Sequence, residues 1–338
     1  MEKTSDRKLE QLQIALSHPF PAGHSLDKVT LTPRLLPEID FDEIDTSVKI
    51  FDHTLSAPIL IAPLTGGTPE AEKINLALGR AAHATGIGMS VGSQKAMLEN
   101  LNLMYTYQVR KVAPGILLFG NIGAVDLKNY SNDEIETLIS NIQADGIMVH
   151  LNPMQEVFQE DGRTDFSGVL ERIRELVSIP YPVIIRSIGC GMDSVTAKRL
   201  LQTGVAGIDV AGKDGTNWIE LEGERRGGSY YYISETFKNW GLTLLQSLME
   251  LKEISQRTVI IATGGISNGL QGAKAIALGA RLFSIGRIAL YTLINHGEKA
   301  LVELIERIKL ELKIAMFGVG AKNIKELQQA SFFIDDRH

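Results

Sequence analysis

Between Ala57 and Arg287 the chain repeats one pattern eight times: a short apolar run that ends at or beside a glycine or a small polar residue. The runs fall at 57–64, 88–93, 116–123, 146–152, 182–189, 207–212, 258–265 and 281–287. A strand that is apolar throughout, rather than at alternate residues, is buried on both faces, as in a parallel sheet covered by helices. Amphipathic stretches of helical period follow most of the runs, at 69–85, 133–143, 168–178, 194–203, 244–254, 270–278 and 298–317; the helix after the second run is indistinct. Eight such units over about 250 residues match a (β/α)8, or TIM, barrel of the α/β class. An open doubly wound sheet fits less well, because no GxGxxG follows the first strand and the glycine-bearing ends are spread over all eight units. Residues 1–56 precede this frame and read as a cap over one barrel end, with 57–338 as the barrel domain. A long segment after strand six, 213–239, contains GERRGGSYYY and reads as an irregular insertion, functional or mobile.

Charge narrows the partners. With 34 basic against 40 acidic residues the formal net charge is −6, which argues against a general nucleic-acid or anionic-membrane binder. An anionic ligand then needs a local basic patch. The single cysteine, Cys190, excludes an intramolecular disulfide and a site of clustered cysteine ligands, which predicts a reducing, cytoplasmic setting. Cys190 itself reads as a small filler between two glycines. No run of about 18 apolar residues occurs and the charged amino terminus lacks an export signal, so the sequence predicts neither export nor a membrane span.

In a barrel of this kind the polar residues at the carboxyl ends of the strands converge on one mouth, which nominates Thr65, Ser93, Asn121, His150, Asn152, Gln155, Glu156, Arg186, Thr216 and the Gly264/Gly265 pair. ATGGISNG at 262–269 and GARLFSIGR at 279–287 set glycines at the ends of strands seven and eight. Backbone amides exposed there, ahead of a helix start, form a ready phosphate site, although each glycine alone reads equally as a tight turn. HLNPMQEVFQEDG at 150–162 leaves strand four with an imidazole, two amides and a carboxylate within seven positions. That set suits a hydrated Mg2+, which needs few protein ligands when a phosphate supplies the rest. It also reads as an ordinary helix start, with Asn152 capping and Glu156 favouring the dipole. Arg7, Lys8, Lys95, Arg225 and Arg226 read singly as solvated charges; folded together over the mouth they would supply the field that a diphosphate needs.

Taken together these residues resemble the type 2 isopentenyl-diphosphate isomerase family of FMN-dependent barrels. The likeness spans nearly the whole chain: RKLEQ at 7–11, LTGG at 64–67, VGSQK at 91–95, GNIGA at 120–124, HLNPMQE at 150–156, DVAGKDGTN at 209–217, ERR at 224–226, WG at 240–241 and the paired glycines 264 and 265. The resemblance implies conversion of isopentenyl to dimethylallyl diphosphate with reduced FMN and Mg2+, NADPH as reductant, and a homo-oligomer, tetramer or octamer. It implies that Thr65, Gly66, Gly67, Ser93, Asn121, Arg186, Thr216, Gly264, Gly265, Ile266, Gly286 and Arg287 line the FMN. By the same likeness Arg7, Lys8, Ser93, Gln94, Lys95, His150 and Asn152 approach the substrate, Gln155 lies beside it as a catalytic group together with Arg186, and Glu156 helps to hold Mg2+.

Departures from the family pattern are specific. Gln11 stands where the family has His, Leu64 where it has Met, Ala211 where Ser is common, and Asp214 where Gly is usual. Arg186 replaces a lysine that faces the pyrimidine edge of the flavin; it keeps the charge but is bulkier and forked. Asp214 is placed to repel a cofactor phosphate. Two rival readings exist. A 2-hydroxy-acid oxidase on the same fold needs a catalytic histidine beyond strand six, where DVAGKDGTN has none. A decayed barrel with a regulatory role draws on Arg186 and Asp214, but has no reason to keep Arg7, Lys8, His150, Asn152, Gln155 and Glu156 together.

Overall fold

The computed structural model describes residues 2–17 and 23–335, with the backbone alone for 2–9. Three short strands come first: β1 (Val29–Leu31), β2 (Val48–Ile50) and β3 (His53–Leu55). Eight parallel strands follow: β4 (Ile59–Ile61), β5 (Gly88–Ser90), β6 (Leu118–Gly123), β7 (Gly146–Leu151), β8 (Val183–Ser187), β9 (Gly207–Ala211), β10 (Val259–Thr263) and β11 (Leu282–Ile285). β12 (Phe332–Ile334) is last. β4 pairs with both β5 and β11, which closes the eight into a barrel. Each lies inside one of the eight apolar runs. β6, β8 and β9 are buried at every residue, the double-sided burial that their lack of alternation demands.

Helices cover the barrel where period and caps ask for them. The Pro69–Thr85 helix starts with a Thr68 side-chain cap and Pro at its first turn, and stops at Gly86 in the left-handed region (φ 68). After β5 there is only the five-residue helix Lys95–Glu99 followed by 3-10 turns at 101–107 and 109–111, so no long helical period exists there to be read. The helix expected at 298–317 starts at Arg287 and runs to Val319, with a non-helical break at Gly297 that interrupts its period. The segment 213–239, expected to be irregular, holds two helices, Trp218–Arg226 and Gly228–Phe237. Their glycine junction, Gly227 and Gly228 at φ 68 and 57, and the tyrosine run conceal the 3.6-residue repeat.

The amino-terminal segment, expected as a cap over one barrel end, reaches both ends. The Glu2–Ser17 helix sets Gln11, Leu12 and Ala15 at the mouth. β1 then pairs antiparallel with β12. The β2–β3 hairpin plugs the opposite end, where Val48, Ile50 and Leu55 pack on Leu60, Phe119, Met148, Ile184, Ile261 and Leu282 inside the barrel. Asp145, just before β7, pins this plug by pairing with hairpin residue His53 (3.2 Å) and with Arg110 (3.0 Å). Among the described residues no helix is long and apolar enough to cross a membrane.

Candidate active site

At the carboxyl ends of the strands lie two adjoining lobes of one cleft, about 210 and about 110 Å3, with Leu64, Arg186, Ile188, Thr216, Trp218 and Arg287 in the wall of both. Gly212, Gly215, Gly264, Gly265 and Gly286 line the smaller lobe. Gly264 (φ 110) and Gly265 (φ 78) hold backbone shapes that side chains resist. A Cβ on Gly264 would also sit 2.8 Å from Gly212 O, and one on Gly265 would strike Asp214 O. Gly286 precedes the Arg287–Val319 helix without a side-chain cap, and Gly286, Arg287 and Ile288 line the lobe, so the amino-terminal end of that helix stands at it. This is a close-fitting amide cradle with Arg287 at its edge, where burial lowers the arginine's pKa. A phosphate monoester such as that of FMN fits such a donor set.

Between cradle and barrel core lies a ring of polar side chains. Arg186 Nη1 donates to Asp209 Oδ2 at 2.6 Å and Thr263 Oγ1 donates to Asp209 Oδ1 at 2.6 Å. Burial pushes the Asp209 carboxyl up from its ordinary value, against the opposing pull of Arg186 and Thr263. His150 Nδ1 donates to Asn121 Oδ1 at 2.6 Å, which fixes the imidazole's orientation. Thr65 and Gly66 complete this wall: the ring of Tyr107 occupies the space a Cβ on Gly66 would need, and its hydroxyl donates to Ser93 O at 2.8 Å. Burial holds the Tyr107 hydroxyl protonated by raising its pKa.

The larger lobe carries the charged groups. Asp126 pairs with Lys95 Nζ (3.1 Å) and Arg163 Nη1 (2.9 Å), holding both cations at the cleft. Asn152 occupies the N-cap position of the Pro153–Phe158 helix but makes no cap; its Nδ2 donates to Glu156 Oε1 at 2.9 Å. Glu156 Oε2 accepts from Arg163 N at 2.5 Å. Glu222, fully buried, accepts from Gln11 Nε2 (2.6 Å), Gln155 Nε2 (3.3 Å) and Arg225 Nε (2.9 Å), and so ties the first helix to the side chain beside the cleft. Among the described residues no group of three His, Cys, Asp or Glu is arranged to hold a metal. At the cleft Glu156 is a carboxylate that could share a cation with a bound diphosphate.

The expected residues mostly converge. Thr65, Gly66, Ser93, Lys95, Asn121, His150, Asn152, Gln155, Glu156, Arg186, Thr216, Gly264, Gly265, Ile266, Gly286 and Arg287 all line the cleft. Two nominated residues do not. Gln94 is fully buried behind the wall, where Oε1 accepts from Asn121 N (3.0 Å) and Nε2 donates to Leu138 O (3.3 Å), so its amide bonds within the wall and does not line the cleft. Gly67 turns its N–H to Thr106 Oγ1 at 2.9 Å and shapes the loop instead of lining it. Arg7 and Lys8 fall on the first helix, and their side chains lie outside the described residues. Asp214 does not aim its charge at the cradle: Ser25 N (2.8 Å) and Leu244 N (2.5 Å) take up its two oxygens. Cys190 is half-buried, and burial raises its thiol pKa, in keeping with a filler. Asp126 and Glu222 were not anticipated; each looks in the sequence like an ordinary helix charge, and only the fold brings its partners together.

Comparison with known proteins agrees with this geometry. Residues 22–104 and 141–333 match the family described as FMN-dependent dehydrogenase, which makes the chain an enzyme-type FMN barrel. Solved structures of mandelate oxidase share the fold: one with benzaldehyde superposes at a TM-score of 0.64 with 21% identity, over 96% of this chain and 94% of that one. Isopentenyl-diphosphate delta-isomerase of Synechocystis sp. is 38% identical over 335 residues, 97% of this chain and 96% of that protein. The enzyme of the same name from Ignicoccus hospitalis is 36% identical, over 94% and 91%, and that of Stutzerimonas stutzeri 40% identical, over 87% and 86%. The chain belongs to the FMN-dependent, type 2 isopentenyl-diphosphate delta-isomerase family, and it is an isomerase.

Proposed function

We propose that this isomerase converts isopentenyl diphosphate to dimethylallyl diphosphate with reduced FMN and Mg2+, NADPH supplying the reducing equivalents. What supports this most directly is the cleft itself: an amide cradle for one phosphate opens into a lobe walled by Lys95, Arg163, Gln155 and Glu156. Reduced FMN, when bound, would supply an electron-rich ring able to stabilise positive charge on the alkene and to exchange a proton with it. The chain's part is to bind, orient and exclude water. Gly264, Gly265, Gly286 and Arg287 take the cofactor phosphate, while Thr65, Gly66, Ser93, Asn121, Thr216 and Ile266 flank the ring system. Arg186, its orientation fixed by Asp209, sets a permanent positive charge where negative charge on the ring would gather.

Lys95, steadied by Asp126, meets the substrate diphosphate together with Ser93, Arg7 and Lys8 of the first helix. Glu156 shares the Mg2+ that the diphosphate carries, with Asn152 orienting its carboxylate. His150 and Gln155 flank the hydrocarbon, Gln155 held by Glu222. The first helix closes the cleft from water, which a cationic intermediate requires. We place the enzyme in the cytoplasm, as a homo-oligomer.

Product analysis tests the reading: purified protein with isopentenyl diphosphate, FMN, NADPH and Mg2+ is expected to form dimethylallyl diphosphate, and omission of FMN to abolish it. Absence of product under these conditions overturns the proposal. Lactate and glycolate are expected not to bleach the bound flavin; bleaching would favour an oxidase.

A further inference from the structure

The turn that follows the first helix lines neither lobe of the cleft, yet it is bonded to both loops that build the glycine cradle. His24 is buried, and its Nδ1 accepts from Leu26 N at 3.1 Å. The ring proton is therefore on Nε2, which donates to Gly264 O at 2.8 Å. The next residue reaches the other loop: Ser25 N donates to Asp214 Oδ1 (2.8 Å), while Ser25 Oγ accepts from Leu245 N (3.1 Å). Asp27 closes the turn by accepting from His24 N (2.9 Å) and Gln271 Nε2 (3.3 Å).

The bond to Gly264 has a directional consequence. A trans peptide is planar, so its C=O and N–H point in opposite directions, and no peptide among the described residues is cis. Two glycines in succession leave the orientation of the peptide between them poorly determined by local sterics. With Gly264 O bonded to His24, which lines neither lobe, Gly265 N–H points the opposite way from that bond. The imidazole thus chooses the peptide orientation that the cradle uses, without touching the ligand.

We propose that His24 is a positioning residue for the cofactor phosphate, acting through the Gly264 carbonyl; this rests on the FMN reading above. The test is to titrate the wild type, His24→Asn and His24→Gln with FMN and with riboflavin, which lacks the phosphate, following flavin fluorescence. Asn keeps an acceptor near Nδ1 for the turn but cannot reach Gly264, whereas Gln carries an N–H to about the position of Nε2. His24→Asn is expected to bind FMN about tenfold more weakly and riboflavin within about twofold of the wild type, with His24→Gln recovering most of the FMN affinity. At saturating FMN the kcat of all three is expected to agree within about twofold. Equal losses for both flavins, no loss for FMN, or a Gln variant as weak as the Asn variant would each overturn the role of His24. A wild type that binds both flavins equally overturns the phosphate cradle itself, and one that binds neither overturns the FMN reading; both show before any variant is compared.

Discussion

The two ends of the barrel interior are built from the same strands and differ by two residues. At the amino end Leu60, Phe119, Met148, Ile184, Ile261 and Leu282 form a dry layer sealed by the hairpin. Two positions further along each of those strands, on the same face, stand Ala62, Asn121, His150, Arg186, Thr263 and Ser284. One layer is apolar in all six places; the next carries a polar group in five of the six. The first layer gains from removal of water, whereas each polar group the second layer buries costs free energy unless it is hydrogen-bonded. Stability and chemistry are thus stacked along the barrel axis, and each substitution should fall under one heading or the other according to its layer.

Arg186→Ala should have the largest effect, because it removes the charge beside the cleft and leaves Asp209 buried without its partner. Turnover is expected to fall by more than about 10^3-fold, and stability by about 3–5 kcal/mol. The double change Arg186→Met with Asp209→Leu should recover most of the stability in urea unfolding and none of the turnover. Unchanged turnover in Arg186→Ala would remove the residue from the site. In the layer below, Phe119→Ala should cost about 3–5 kcal/mol through the cavity it leaves, with the KM of the folded fraction unaltered. A changed KM there would break the separation of the layers.

Smaller effects sharpen the comparison. Glu156→Gln should raise the Mg2+ concentration for half-maximal activity by about 10- to 100-fold and leave the melting temperature in place; an unaltered Mg2+ requirement would detach Glu156 from the metal. Smallest is Ser284→Ala. Ser284 Oγ is buried without a hydrogen-bond partner among the described residues, so its removal should be neutral or stabilise by up to about 1 kcal/mol. A clear loss of stability would reveal a bound water in the upper layer.

How much of this was legible in the sequence follows from the same stacking. The barrel could be read because a doubly buried strand is apolar on both faces, a signal local to each run. The cleft residues could be read because they sit at strand exits with glycines beside them, and because HLNPMQE and LTGG carry a family likeness. Asp126, Glu222 and His24 could not. Each acts through partners from distant segments, as Glu222 does by joining Gln11 to Gln155, and a charged residue in ELEGERR is indistinguishable from a solvated one until the helices meet. Gln94 misled for the converse reason: its motif is right, but it sits in the turn that opens the Lys95–Glu99 helix, and its side chain bonds back into the wall. The insertion 213–239 was misjudged because two glycines at a helix junction look like a loop.

The seating of the first strand carries a consequence for biosynthesis. Val29 faces Ile334 across the β1–β12 pair, the hairpin is buried in part by Leu282, and His24 waits for Gly264. Leu60 follows the hairpin at once, but Ile261 and Leu282 are translated long after it, so the shelter of Val48, Ile50 and Leu55 is complete only when the final strands have left the ribosome. Pairings this remote in sequence are slow to form and open to misassociation meanwhile. A chain arrested before Gly264 therefore lacks both Leu282 against its hairpin and the carbonyl to which His24 donates.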